Sequence, residues 1–484
     1  MVRDETPLAE LTEPETPESV AFKPKLRWRD RDHTRGSLLR SLGLLALPMV
    51  GSSLVGGVLF QLIDLKLISG LGDQGMTAVV VTNQSWRQLY MVLLMGASFG
   101  AQGLIARSIG AADQERADHV AGQTLMMGGL IGVVAALLGF YFARDMLSVM
   151  NVSAEVLEIG VPYVRLVFIL NFGFVFAILF GSLLAGAGDS STPFVITIAQ
   201  TILSLLAEWA LIGGHLGAPA LGIRGVVLGL GVGQLVAIGL AGRVIFSGHT
   251  RVHVRARHMW PDLATMRSIL SLAWPPAFQM LGGFLVTVFF IRLMGDFGTR
   301  AQTAYSIGLR LGMVAPMICF PLAGAVATLV GQNLGARKIP RAWRAMGVGI
   351  LVHGGVMWTL AIGLYLFRVP FLRIFTQDPV VIEIGSRMLV WQAGQFALLA
   401  FLFVFMRALQ GAGDVMIPMA ISLASALLIA IPLGLYLSED RGFGPDGLFI
   451  AQFTSTALST IVNGAYVATG RWTRSHAHPT LEAA

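Results

Sequence analysis

Charge is scarce in this sequence: Asp, Glu, Lys and Arg make up 13% of its 484 residues. A soluble domain carries roughly a quarter, so most of this chain's surface must face something other than water. Cysteine occurs once, as Cys319, which excludes an intrachain disulfide and leaves the redox compartment open. No Cys/His cluster has the spacing of a structural metal site. No basic domain exists either. The pI is about 9.9, but the cations sit in short connections between apolar runs, so a nucleic-acid partner is not expected. Clustered histidines and a nucleophile–base pair at one depth are also missing, which argues against a membrane-embedded enzyme. No secretory signal is expected at residues 1–36. That stretch is acidic first (Asp4 to Glu18) and basic after (Lys23 to Arg35), and the next apolar run is too long for a signal core. It reads as a disordered cytoplasmic tail.

What the sequence has in abundance is apolar length. Hydrophobic residues make up 55%, with 57 glycines, and mean hydropathy is +0.71. Twelve apolar segments lie near 40–68, 77–98, 118–143, 160–183, 192–213, 222–246, 267–293, 302–328, 345–367, 385–408, 415–437 and 446–469. Runs of ~20 residues match a ~30 Å hydrocarbon core as helices. Their lack of alternation excludes barrel strands. Alternate connections differ in charge. One side carries the tail, Arg107, Arg116, Arg243, Arg251, Arg255, Arg257, Arg337, Lys338, Arg341, Arg344, Arg407 and Arg471. The other carries scattered single cations such as Lys66, Arg144, Arg300 and Arg441. The cation-rich side and both termini are therefore expected in the cytoplasm, with the bundle in the inner membrane.

Four matches share an offset of 225 residues. Ile109-Gly110-Ala111 matches Leu334-Gly335-Ala336, and Glu158-Ile159-Gly160 matches Glu383-Ile384-Gly385. Gly186-Ala187-Gly188-Asp189 matches Gly411-Ala412-Gly413-Asp414, and Gly222 matches Gly447. Six spans per repeat is even, so the halves share one orientation. The expected fold is an all-α membrane protein: twelve transmembrane helices in two parallel six-helix repeats, related by a pseudo-two-fold axis along the membrane normal. The lobes span 37–246 and 263–470, joined by a cytoplasmic linker at 247–262, with a C-terminal tail at 471–484. The linker's dense cations, with His253 and His258, read as a solvated segment anchored by anionic lipid.

Ionisable side chains deep in spans need a reason. Asp64 on the first helix and Glu208 on the fifth each lie roughly 7–9 Å below the same helix end, at 1.5 Å per residue. Gln200, Ser204 and Glu208 form a stripe at i, i+4, i+8, and Gly57, Gln61 and Asp64 one at i, i+4, i+7. Such stripes face protein or water rather than lipid. Two carboxyls in one dehydrated pocket do not both stay ionised, so the pair is suited to hold a proton. A sodium ion held by both, with the Ser204 hydroxyl and Gln61 carbonyl, is equally allowed. Asn83 and Arg87 are accessory polar candidates. Arg87 and Arg310 occupy similar places in the two halves and read as snorkelling or interface residues. His353, with no acidic partner in view, reads as packing. Phe284, Phe289, Phe290, Phe396, Phe401 and Phe403 read mostly as packing, with a few available to line an adaptable cavity.

These features resemble the multidrug and toxic compound extrusion family. The resemblance rests on Pro48 followed by Asp64, on Ala106 to Ala117, on Gly331-Gln332-Asn333-Leu334-Gly335-Ala336, on Ala304 to Arg310, and on the paired Gly-Ala-Gly-Asp turns. It covers roughly residues 37–470. It implies alternating access of two lobes and antiport of small amphipathic, often cationic compounds against protons or sodium, with no organic cofactor. The family's first-helix aspartate matches Asp64 and its fifth-helix carboxylate matches Glu208. An asparagine common one turn earlier is Ser204 here. Acids that some members carry on helices seven and ten are missing, where Gly283 and Leu399 stand. That implies coupling by the first half alone, and by protons rather than sodium. A monomer suffices. The other reading is a flippase of lipid-linked oligosaccharide or lipid, which needs a basic, hydrophilic cavity.

Overall fold

The computed structural model describes residues 32–474 apart from 72–78, 80–81, 83–85, 151–152, 249 and 441; for 86–90, 93 and 440 it describes the backbone alone. The described residues are almost entirely helical. In chain order the long helices are α1 (Leu38–Leu71), α2 (Trp86–Gly110), α3 (Gln114–Ser148), α4 (Ala154–Ala187), α5 (Ser191–Gly213) and α6 (Ile223–Phe246). They continue with α7 (Leu263–Asp296), α8 (Thr299–Gly335), α9 (Ile339–Leu366), α10 (Pro379–Ala412), α11 (Met416–Glu439) and α12 (Pro445–Ala468). Ten of these are long and apolar enough to cross a membrane. The other two, α2 and α12, have 25 and 24 residues. Large apolar side chains such as Leu130, Leu137, Phe142, Leu235, Leu351 and Ile461 are exposed on the outside of the bundle, where only lipid makes them inexpensive. This is a multi-pass membrane protein.

The paired Gly-Ala-Gly-Asp turns are helix stops. Gly188 and Gly413 take φ of 94° and 83° after α4 and α10. The next amide closes the cap in both: Asp189 N–H donates to Leu184 O and Asp414 N–H to Leu409 O, each at 2.9 Å. This left-handed closure favours glycine. One match must be corrected. The residue that opens α12 as Gly222 (φ 53°) opens α6 is Gly444 (φ 57°), so Gly447 corresponds to Gly225. A Cβ on either Gly225 or Gly447 would come within 2.6 Å of the backbone of the preceding helix. The connections before α6 and α12 differ in length, and one glycine cannot reveal a three-residue slip.

Within the first half, α3 packs on α4 and α5 on α6; within the second, α9 packs on α10 and α11 on α12. The halves interlock through their first helices. Leu42, Leu45 and Ala46 of α1 share a core with Val326 and Leu329 of α8 and Ala408 of α10. Ile269 of α7 joins Ala101 and Ile105 of α2 in the corresponding core of the first half. On the cation-rich face the contact is backbone on backbone. A Cβ on Gly110 would lie 2.0 Å from the Gln332 carbonyl oxygen, and one on Gly335 would lie 2.0 Å from the Arg107 carbonyl oxygen. The offset of 225 carries Gly110 onto Gly335 and Arg107 onto Gln332. Small residues let helices approach this closely, and this face is shut.

The linker and the described end of the tail, residues 32–36, make specific contacts with the bundle. Residues 1–31 lie outside the described residues, but His33 is 2% exposed. Its Nε2 lies 3.2 Å from Gly188 O, and Lys338 Nζ donates to Thr34 O at 2.9 Å. The linker lies along the first turns of α3. His253 N–H donates to Asp118 Oδ1 (2.7 Å), and Gln123 Nε2 donates to His258 O (2.9 Å). Arg257 Nη2 donates to Glu115 Oε2 at 2.6 Å, while Val252 and Val254 are buried. Glu115, Asp118, His119 and Gln123 fall on adjacent turns of α3 and hold the linker, with Arg257 paired to Glu115 while both side chains stay exposed.

Asp262 closes this strap as the N-cap of α7. Its carboxylate accepts from Thr265 Oγ1 (2.6 Å) and Ala264 N–H (3.0 Å) and meets His119 Nε2 at 3.0 Å. The Thr265 hydroxyl first, then His119, holds its pKa down to about 2. A depressed carboxylate stabilises above its unfolded value of 3.8, and that contribution fades as pH falls toward the folded value. Asp262→Ala is therefore expected to cost about 1 kcal/mol, as for a lost cap. Melting of the detergent-solubilised protein should show a wild-type advantage that is constant from roughly pH 5 to 8 and narrows below the unfolded value. An advantage that grows on acidification would contradict this.

Candidate functional site

A cavity of about 500 Å³ lies among α1, α2, α4, α5 and α6, with Phe320 and Pro321 of α8 and Arg407 of α10 on its wall. Its lining mixes hydroxyls (Ser52, Ser53, Ser98, Thr197, Thr201, Ser204) with Met49, Met91, Met95, Phe60, Phe99 and Phe174. That size and mixture fit a drug-sized amphipathic molecule. Methionines and phenyl rings re-pack around different shapes. A larger depression, about 830 Å³, opens on the cation-rich face between the α2–α3 and α8–α9 turns, lined by Arg35, Arg116 and Lys338 among others. It lies around the chain connections and the ends of α2, α8 and α10.

The helix-five stripe is real, but it points mostly at protein. Gly225, Gly229 and Gly233 repeat every four residues along α6 and receive Leu211, Glu208 and Ser204 of α5 in turn. A Cβ on Gly229 would lie 2.5 Å from Glu208 Cγ, and one on Gly233 2.0 Å from Ser204 Oγ. Glu208 is 0% exposed and Ser204 2%. Gln200 and Ser204 reach the cavity, whereas Glu208 sits one turn further on, behind it. The helix-one stripe does not hold. Gly57 faces Met317 of α8, at 3.1 Å from a built Cβ, whereas Gly56 faces Thr197 of α5 at 2.8 Å. These glycines lie within a π-helical turn over Leu54–Leu59, which precedes Asp64. Such a turn inserts one extra residue, which brings Asp64 round to the Gly56 side, toward α5. Asp64 is half-buried with Oδ1 closed off from solvent, and Ile68, one turn on, is buried against Tyr163 and Val226. Gln61 falls outside this face and is exposed. Neither carboxyl is among the cavity-lining residues.

The other candidates divide. Asn83 and the Arg87 side chain lie outside the described residues, and Arg310 is exposed on α8. His353 is buried, with Nδ1 3.0 Å from Ala400 O and its ring edge-on to Phe403, which is the packing role expected. The aromatic lining is Phe60, Phe99, Phe174 and Phe320, drawn from α1, α2, α4 and α8. The six phenylalanines singled out on helices seven and ten are not part of it, because those faces pack within the second half or look outward.

Sequence reasoning missed the cavity floor. Gln102 of α2 donates through Nε2 to Thr328 Oγ1 (3.0 Å) and Gly324 O (3.3 Å) of α8. Thr328 Oγ1 donates to Ala185 O of α4 at 3.0 Å. Arg407 Nη2 donates to Gln102 Oε1 (3.1 Å) and Nη1 to Gln410 Oε1 (2.8 Å). Arg407 was grouped with the connection cations, yet it is 4% exposed. A signal existed: it stands one turn before the helix stop at Gly411-Ala412-Gly413-Asp414, so it had to be helical.

A family model, MatE, matches residues 48–209 and again 275–436. The chain belongs to the MatE family. Both matches begin on a proline of the first helix of a half, Pro48 in α1 and Pro275 in α7. Among relatives, this MatE protein is 25% identical over 430 residues to a probable multidrug resistance protein NorM of Thermotoga maritima, covering 88% of this chain and 92% of that one. It is 25% identical over 461 residues to the multidrug resistance protein PmpM of Pseudomonas aeruginosa, covering 90% and 93%. Its fold is similar to a MATE crystal structure in the bent conformation, with TM-score 0.83 at 20% identity over 92% of this chain and 98% of that one.

Proposed function

We propose that this MatE-family protein is a secondary-active exporter that exchanges protons, in preference to sodium, for small amphipathic organic compounds. The observation that carries the reading is the cavity itself. It lies where the two halves meet, beside a face shut by two glycine-on-carbonyl contacts that interchange under the internal offset. Paired contacts of that kind suit two parallel repeats rocking about a pseudo-two-fold axis, with α2 and α12 also crossing the bilayer. The charge pattern supports a cytoplasmic position for the cation-rich face and both termini. The names of the relatives support multidrug efflux.

Asp64 and Glu208 are the coupling groups in this reading. Both belong to the first half, on helices that pack together; Glu208 is fully buried and Asp64 half-buried with Oδ1 closed off from solvent. At the offset of 225 they fall opposite Phe289 and Leu433, neither of them acidic. Protonation from outside alters the α1–α5–α6 packing behind the cavity and disfavours bound substrate. The empty protonated form turns inward and releases the proton. Only different affinities of the two states for proton and substrate drive such a cycle. The flippase reading wants a basic cavity, and among the described lining residues the charged side chain is Arg407 alone.

The test is dye transport in proteoliposomes with pH and sodium gradients imposed separately. Movement under the pH gradient, with none under sodium alone, is expected. Movement that follows sodium alone overturns the proton assignment, and movement under neither gradient overturns the exporter.

A further inference from the structure

We propose that Arg407 is the anion-recognition group of the cavity, so that the exported compound is an amphipathic organic anion, bearing a carboxylate or a group of similar charge. The proposal deepens the export reading above and rests on it for transport, though not for binding.

Arg407 is the one charged side chain among the described cavity-lining residues. Its guanidinium is buried, and its acceptors, Gln102 Oε1 and Gln410 Oε1, are neutral. Its Nε is closed off from solvent and has no hydrogen-bond partner among the described residues. No ion pair among those residues includes it. The cation instead lies against two touching rings whose centroids are 5.5 Å apart, with Cζ 4.1 Å from the Phe99 centroid and 5.2 Å from that of Phe320. Gly324 leaves it room: a Cβ there would lie 3.0 Å from Nη2.

Burying a guanidinium with no opposing charge is expensive. Neutral amides and phenyl faces offset only part of that. An anion entering the cavity supplies the missing charge through charge-assisted hydrogen bonds, strengthened by the dry surroundings. An organic cation in the same space gains nothing from Arg407 and is repelled by it. The methionines, Phe60 and Phe174 cover the apolar body of the ligand, and the serine and threonine hydroxyls of α1 and α5 donate to further oxygens. The site joins both halves, with Phe99 and Gln102 on α2, Phe320 on α8 and Arg407 on α10. A purely structural role for Arg407, as a strut across that joint, would weaken handling of every substrate alike.

Fluorescein and rhodamine 6G separate these roles, since they share a xanthene scaffold and carry opposite charge. Binding of each dye to the detergent-solubilised protein is read by fluorescence polarisation. Export of each is read in proteoliposomes under a pH gradient. Wild type is expected to favour fluorescein in both. In Arg407→Gln the fluorescein-to-rhodamine ratio should fall about tenfold, in the range of one hydrogen bond to a charged group. Arg407→Lys should keep most of the ratio. A wild-type preference for rhodamine 6G, or a ratio unmoved in Arg407→Gln, overturns the proposal, and the wild-type comparison stands even if a variant fails to fold. Fluorescein binding through Arg407 without export of either dye leaves recognition in place and removes the export reading. Export of rhodamine 6G by a protein that does not bind fluorescein does the reverse.

Discussion

Asp64→Asn is expected to abolish export driven by a pH gradient while leaving the protein folded. Asparagine keeps the shape of the side chain and its hydrogen-bonding oxygen but cannot take up or release a proton. Asp64 lies just beyond the π-helical turn of α1, half-buried, on the side that faces α5. The second half has no acid at the equivalent depth to stand in for it. If proton and substrate compete through this group, its loss removes the whole coupling free energy, which for linked sites is commonly worth up to about a hundredfold. Initial rates in proteoliposomes measure this, with dye binding as the control for folding. Unchanged efflux sinks the assignment. Glu208→Gln distinguishes its own two roles. A coupled pair predicts a similar loss, whereas a carboxyl that merely fills the Gly229 notch of α6 predicts near-normal rates.

The second large effect is steric. In Gly110→Ala a methyl would stand 2.0 Å from the Gln332 carbonyl oxygen, a backbone atom that cannot rotate away. Overpacking of this kind costs about 1–3 kcal/mol, and here the strain exists only while the cation-rich face is shut. The shut population should therefore fall by roughly five- to 150-fold, with export slowed in proportion. A single cysteine at Gln102, on the cavity floor, should then label faster from that face, read against buried Cys319. Gly335→Ala should match it, since its contact is the same one under the internal offset. Gly239→Ala, with no atom within 4 Å of its Cβ, should behave as wild type. Slow labelling in Gly110→Ala would mean that this contact does not open during transport.

Both variants draw on features of different legibility. Gly110 and Gly335 were visible as a repeat because a backbone-on-backbone contact tolerates only glycine, so the residue type itself is constrained. The Gly-Ala-Gly-Asp stops were visible for the same reason. The face of Asp64 was not visible. Helical periodicity over Gly57, Gln61 and Asp64 assumes an unbroken 3.6-residue turn, and the π turn at Leu54–Leu59 breaks it without any marker in composition. The linker's protein contacts were not visible, because charge alone does not say whether a cation meets water, lipid or a protein carboxylate. Glu115 and Asp118, its actual partners, lie some 135 residues earlier in the chain.

The sequence by itself determined a helical membrane protein with an internal repeat and with carboxyls deep in its spans in the first half alone, since apolar length, glycine spacing and intramembrane acids are local properties. The tertiary structure alone decided what faces the cavity. It set Glu208 behind the lining, against the glycine groove of α6, and turned Asp64 toward α5. It also brought Arg407 out of the count of connection cations to lie against the rings of Phe99 and Phe320. Each of these depends on helices distant in sequence meeting at one depth, and a side chain's partners there are fixed by packing rather than by its neighbours along the chain.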